Sequence, residues 1–322
     1  EKNKPITFAT KLTEGAFRNA NFPFLSRRKI LYAVSSVLIL ISLVSLATRG
    51  LNEGVDFTGG RAYIVRFDHP VNSVEIQNRL GDELGQPPQV KIFGDDNQIK
   101  LTTQYKIDQE GKEVDEEVVQ KIYAGLQPFM EGETSMEEFT DNYIQSELKV
   151  GPTVAYDIRV QAVWAIVFAL LITFLYIFGR FRNWQYGLGA LTALIHDVII
   201  ILGIFSLFYN IMPFSMEVDQ AFIAAILTVV GYSINDTVVV FDRVREYIGL
   251  YPKRDRFSII NRALNSTLSR TFSTSLSTFV VLLTIFLFGG EVIRGFVFAL
   301  LVGVIVGTYS SLFIASPVVY DT

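Results

Sequence analysis

Cysteine is absent from this chain of 322 residues, histidine occurs twice, and charged residues make up only 19% of it. Without cysteine there is no disulfide framework and no thiol-based zinc or redox site. No G-x-x-x-x-G-K-[ST] stretch is present, so the phosphate cradle of ATP-driven machines is missing. H-E-x-x-H and G-x-G-D are missing too. An intramembrane protease would therefore rest on the two carboxylates Asp197 and Asp236 alone, which is too little. The chemistry predicted is non-enzymatic, with no metal and no organic cofactor.

What the chain has instead is apolar mass. Half of its residues are hydrophobic, 26 are Phe, and the mean hydropathy is +0.35. A membrane-spanning helix needs roughly 20 mostly apolar residues. Six segments qualify, at about 30–48, 158–178, 186–208, 219–241, 266–288 and 295–317. The first could mimic a signal peptide but lacks a small-residue cleavage site. The chain reads as a polytopic α-helical membrane protein embedded in a lipid bilayer.

Basic residues in short loops set orientation. Arg27, Arg28 and Lys29 precede the first span, Arg180 and Arg182 follow the second, and Arg243, Arg245, Lys253, Arg254, Arg256 and Arg262 follow the fourth. All three clusters fall on one side, which predicts cytoplasmic termini and places 49–157 outside. The resulting division is a cytoplasmic N-terminal segment or linker at 1–29, a first span at 30–48, an outer domain at 49–157 and a five-helix bundle at 158–322. Residues 50–155 hold 20 acids against 9 bases, a poor surface for nucleic acid.

The outer stretch changes period along its length. "RAYIVRF" (61–67) alternates as a strand, and "VNSVEIQNRLGDEL" (71–84) carries helical spacing at Val74, Ile76, Leu80 and Leu84. "QVKIF" and "QIKLTT" flank the turn signal "GDDN". A second helix at 115–129 and a strand at 143–151 complete a β-α-β-β-α-β order, the ferredoxin-like α+β arrangement. The acidic "MEGETSMEEFTDN" before the last strand reads as a loop or mobile insertion. His69, before Pro70, reads as a solvated loop residue.

Three further features stand out. "GVDFTGG" (54–60) joins the first span to the outer domain, and its glycines permit a tight turn at the membrane surface. Ala299, Gly303, Gly307, Ser311 and Ala315 repeat every four residues in the last span, a small-residue stripe suited to close helix contact inside this chain or with a partner. Asp236 lies inside an apolar run, where a charge costs about 2.5–3.5 kcal/mol and marks a function or an interior pair.

"GVDFTGG", "VGPTVAYDIRVQA", "IHDV", "GYSINDTVVVFDRVRE" and "LSRTFSTSLST" together resemble the SecF family, whose members partner SecD in bacterial protein export. The resemblance covers the chain from Arg27 to Pro317. It implies six helices of a resistance-nodulation-division type half, with the outer domain between the first two. No internal repeat is visible, as expected of one half. Residues 1–26, which begin at Glu1, are similar to the linker of fused SecD–SecF chains, so a processed or excised fragment is expected. The family motif at the membrane surface falls on Gly54, Asp56, Phe57, Thr58, Gly59 and Gly60. The implied partners are SecD or a fused SecD half, the SecYEG translocon and SecA system, and an unfolded preprotein in transit. The implied location is the bacterial inner membrane.

Counting residues from the loop between the fourth and fifth spans puts Asp236 and Arg270 at similar depth, so an antiparallel hairpin could bring them together. A static salt bridge is one reading. Proton exchange at Asp236 is the other, with Arg270 a fixed positive neighbour that never releases its proton. Burial favours the neutral carboxyl and a nearby guanidinium the ionised one, so a movement could switch it. The resemblance, which implicates the matching Asp and Arg in ion-coupled export, favours exchange. Thr274 and Ser277 give the fifth span a density of hydroxyls that suits a wet pathway or plain interhelical bonding. Asn235 could orient Asp236 or simply pack. His196 and Asp197, mid-span in the third helix, form a second candidate pair for which a proton relay and a structural hydrogen bond both stand. The coupling ion expected is H+, with Na+ the other possibility. The predicted function is an accessory subunit that uses the ion motive force to promote preprotein export; the alternative is an exporter of small molecules or lipids in the same superfamily.

Overall fold

The computed structural model describes residues 21–109 and 111–322. The expected linker at 1–29 lies outside the described residues for its first 20 positions. Helix α1 spans Arg28–Arg49 and leads through a single turn of helix, α2 (Val55–Thr58), into strand β1 (Gly60–Arg66). Then come α3 (Ser73–Leu84), β2 (Gln89–Phe93), β3 (Asp95–Thr103), α4 (Lys112–Leu126), the short α5 (Met136–Glu138) and β4 (Ile144–Val150). The remaining helices are α6 (Pro152–Phe181), α7 (Trp184–Phe208), α8 (Gln220–Leu250), α9 (Arg256–Phe288) and α10 (Glu291–Ser310). A wider π turn at Ser311–Ala315 continues α10 into α11 (Ser316–Asp321).

Among the described residues, six helices are long and apolar enough to cross a membrane, the last running through Glu291–Asp321. Three exceed the hydropathy-based bounds by about two helical turns or more at one end: α6 starts six residues before 158, α8 runs to Leu250 and α9 starts at Arg256. The reason is that hydropathy reports where lipid ends. Segments such as "DRVREYIGL" keep their helical hydrogen bonds beyond that point, with Asp242 bridging Arg180 at 3.3 Å and Arg245 at 2.9 Å.

The outer domain is a four-stranded antiparallel sheet in the order β2-β3-β1-β4, the ferredoxin-like topology. Asn72 caps α3 with its side-chain oxygen, and Gly85 ends it in the left-handed region. Tyr63, Val65, Ile76, Leu80, Ile99, Leu101, Val118 and Ile122 are buried in one core between sheet and helices. The turn at 94–97 is tighter than its four residues suggested, because β3 begins at Asp95 and Gly94 turns the chain alone at φ +87°.

The acidic insertion at 130–142 is the clear correction. It is folded against the domain, with Met130, Phe139 and Tyr143 part of the core and Phe139 fully buried. Ser135 caps α5 by accepting the Glu138 N–H, and the Phe139 ring lies 5.5 Å from that of Tyr123. The acids of the segment face solvent, while its few apolar residues at 136, 139 and 143 share one side.

In the bundle, Gly303 and Gly307 of α10 face α8. A Cβ at Gly303 would run into Val229, and one at Gly307 would stand 3.1 Å from Ser233 Cβ. The stripe is thus an internal contact of this chain, extended by Ser311, whose hydroxyl lies 2.8 Å from that of Thr237 on α8.

Candidate ion-pathway site

On α8 the residues Ser233, Asp236, Thr237 and Val240 are buried, spacings that place them on one helical face. On α9 the buried polar residues are Thr267, Thr271 and Ser275, a single row. Asp236 is 3% exposed. Its hydrogen-bond partner is Ser275, whose hydroxyl donates to Oδ2 at 3.4 Å. Thr308 of α10 stands 2.7 Å behind Ser275. Asp236 therefore sits where three helices meet, among hydroxyls.

Arg270 does not complete an ion pair with it. No N–O distance within 4 Å joins them among the described residues, and Arg270 is exposed, lining a groove with Val239, Asp242, Arg243, Glu246, Ser266 and Thr267. Arg270 immediately precedes Thr271 of the buried row, so it is turned about 100° around the helix from that row. Thr274, Ser277 and Asn235 are exposed as well. The hydroxyls of Thr274 and Ser277 bond to carbonyls of their own helix. Asn235 makes no contact that orients Asp236 among the described residues. The sequence-based set thus splits into a buried carboxylate and an outward polar face carrying one guanidinium.

His196 and Asp197 form a second, enclosed cluster, 3% and 1% exposed. His196 Nδ1 is 3.0 Å from Asp197 Oδ1, while Ser233 of α8 and Ser310 of α10 donate to Oδ2 at 2.7 and 2.8 Å. His196 Nε2 is buried without a partner among the described residues. The two carboxylates are linked to α10 through hydroxyls two residues apart, Thr308 for Asp236 and Ser310 for Asp197. Ser275, Thr308, Ser233 and Ser310 are the partners that sequence reasoning missed. For Ser275 a signal existed, since 267, 271 and 275 repeat every four residues.

The "GVDFTGG" segment docks on the N-terminal ends of α6 and α8. Gly54 donates its N–H to Val218 O at 2.9 Å, and Val218 returns one to Asn52 O at 2.8 Å. Asp56 Oδ2 accepts the N–H of Gln220, the first residue of α8, at 3.0 Å. Phe57 is buried against the α7–α8 side of the bundle. Thr58 donates its hydroxyl to Gly54 O at 3.1 Å. Arg159 of α6 bridges Glu53 at 2.6 Å and donates to Phe57 O at 2.8 Å. Gly59 and Gly60 then turn into β1 at φ +72° and +142°, where a side chain at Gly60 would meet Thr103 O at 3.0 Å. Above this segment Lys100 of β3 pairs with Glu217. Burial pushes the nearby Lys91 amine below the usual lysine range.

Two family descriptions match the chain: "Protein export membrane protein SecD/SecF, C-terminal" over residues 132–322, and "SecD/SecF GG Motif" over residues 44–71. A protein translocase subunit SecF from Rhodothermus marinus is 46% identical over 306 residues, covering 95% of this chain and 94% of that one. The SecF subunit of Haemophilus influenzae is 38% identical over 300 residues, covering 92% and 85%. The crystal structure of SecDF, a translocon-associated membrane protein from Thermus thermophilus, superposes with a TM-score of 0.78 at 29% identity. It covers 97% of this chain, which spans 39% of the SecDF chain.

Proposed function

The chain belongs to the SecD/SecF family of protein-export membrane proteins, on its SecF side, and from that premise we propose that it uses the ion motive force to promote preprotein export. The observation that carries the proposal is Arg270, exposed within a spanning helix beside the buried Asp236. A guanidinium left against lipid inside a spanning helix would cost about 2.5–3.5 kcal/mol. A partner membrane half placed against α9 relieves that cost and closes a polar path between itself and Asp236.

That partner is SecD, or the SecD half of a fused chain. Within the pair, Asp236 takes up and releases the coupling ion, H+, and Arg270 supplies the fixed charge that biases its ionisation. Thr274, Ser277 and Asn235 line the polar face, and the His196–Asp197 cluster stands behind it. A proton crossing carries about 2.3 kcal/mol per 100 mV, enough in repeated steps to move the outer domain (49–157) against the bundle (158–322). The complex sits in the bacterial inner membrane with both termini cytoplasmic, serves the SecYEG–SecA translocon, and acts on unfolded preprotein without catalysing a covalent reaction.

The test is export into vesicles containing this chain, the SecD half and the translocon, driven by an imposed gradient. Asp236→Asn keeps the shape and removes the titratable group; export falls to the no-gradient level. Gradient dependence equal to wild type in Asp236→Asn defeats the proposal. Dependence on an imposed Na+ gradient in place of a proton gradient reassigns the ion.

A further inference from the structure

The helix that carries Asp236 begins at the membrane surface where the outer domain begins. The first N–H groups of any helix have no partner within it. At α8, Asp219 accepts the N–H of Phe222 at 2.8 Å, a local cap. The N–H of Gln220 is satisfied from elsewhere, by Asp56, which lies 164 positions away in the chain. An anionic oxygen at a helix N-terminus is favoured by the helix dipole as well as by the hydrogen bond.

Asp56 belongs to a segment with little freedom of its own. Its helical turn is pinned on the α6 side by Arg159, through Glu53 and Phe57 O. At its far end, Gly59 and Gly60 pass directly into β1, the central strand beside both β3 and β4. The backbone pair between Asn52–Gly54 and Val218 fastens the loop before α8. Within the 52–60 segment, Asp56 is the residue whose side chain reaches a backbone group of α8 itself.

We propose that Asp56 is a positioning residue that fixes the pose of the outer domain to α8, so that a displacement of α8 moves β1. The rigid link runs from Gln220 N through the Asp56 carboxylate and the turn at 55–58 into the sheet. Lys100 and Glu217 form a second contact between sheet and bundle, but on the loop before the helix. The proposal rests on the ion-driven reading above only for what displaces α8; the fixing of the pose is independent of it.

The absence of cysteine permits two engineered labelling sites, Asp82→Cys on the exposed side of α3 and Thr228→Cys on the exposed side of α8. Spin labels there report the distance distribution between outer domain and helix in the full chain, in nanodiscs with a cysteine-free SecD half. Asp56→Ala is expected to widen that distribution about two-fold. Asp56→Asn keeps an oxygen acceptor and returns the wild-type width. A wild-type width in folded Asp56→Ala overturns the proposal. Adding Asp236→Asn separates the two readings. With Asp56 intact it shifts the mean distance, and with Asp56→Ala the shift is lost; an equal shift in both backgrounds overturns the role of Asp56. No shift in either background defeats ion-driven movement, while the comparison of widths still decides for or against Asp56.

Discussion

Asp236 and Arg270 stand at matched depth on the two arms of one hairpin and face different surroundings. Asp236 is 14 residues before Leu250, where α8 ends, and Arg270 is 14 residues after Arg256, where α9 begins. The carboxylate nevertheless points into the junction of α8, α9 and α10, and the guanidinium points out of the bundle. A static internal lock is therefore not what this pair forms within the chain.

One consequence concerns Arg270→Met. A side chain without an ion partner among the described residues contributes little to the fold, so the variant should unfold within about 0.5 kcal/mol of wild type. Gradient-driven export should nonetheless drop at least tenfold, and co-purification with the SecD half should weaken. Thermal unfolding in detergent beside a pull-down checks both; marked destabilisation with intact association would return the residue to an internal structural role.

Gly303→Leu tests the helix stripe. Because a Cβ there runs into Val229, the substitution should cost about 1–3 kcal/mol or more through overpacking. The loss should appear in the isolated chain, measured by denaturant unfolding, since the contact lies between α10 and α8. Wild-type stability of the isolated chain, with a defect confined to the SecD complex, would contradict that placement.

Phe139→Ala addresses the insertion at 130–142. Removing a fully buried aromatic side chain costs about 3–5 kcal/mol, a large share of what an outer domain of this size can spare. Hydrogen exchange across β1, α4 and the insertion should accelerate together. Acceleration limited to the insertion itself would show that it is an appendage to the core.

The outer domain also carries a pH signature. Lys149 at 2.6 Å, and with it Arg61 at 2.7 Å, hold the Asp115 carboxyl below the usual carboxylate range. A depressed folded-state value means that this contribution is complete above the unfolded value, about 4. It is lost as pH falls further, through the folded-state value. Asp115→Asn should lower stability near pH 7 and flatten the acid limb below about pH 4. Exchange-detected unfolding between pH 7 and 3 reads both; an unchanged acid limb would assign the loss to other carboxylates.

The sequence by itself determined the six spans, the ferredoxin-like order of the outer domain and the depth of Asp236 and Arg270. Each follows from a fixed local geometry, because backbone hydrogen bonds set the rise of a helix at about 1.5 Å per residue and the alternation of a strand at two. The family motifs were equally legible, since they are runs of neighbours in the chain. Rotation about a helix axis is different. It is set by the packing of all six helices at once, and it alone decided that Arg270 faces outward while Ser275, five residues on, meets Asp236. The same holds for Asp197, whose donors Ser233 and Ser310 come from positions 36 and 113 residues away. It holds again for Asp56, whose acceptor oxygen meets Gln220 only because two distant membrane-surface segments are folded onto each other. Long-range contacts of this kind leave no periodicity in the chain, so only the tertiary structure could place them.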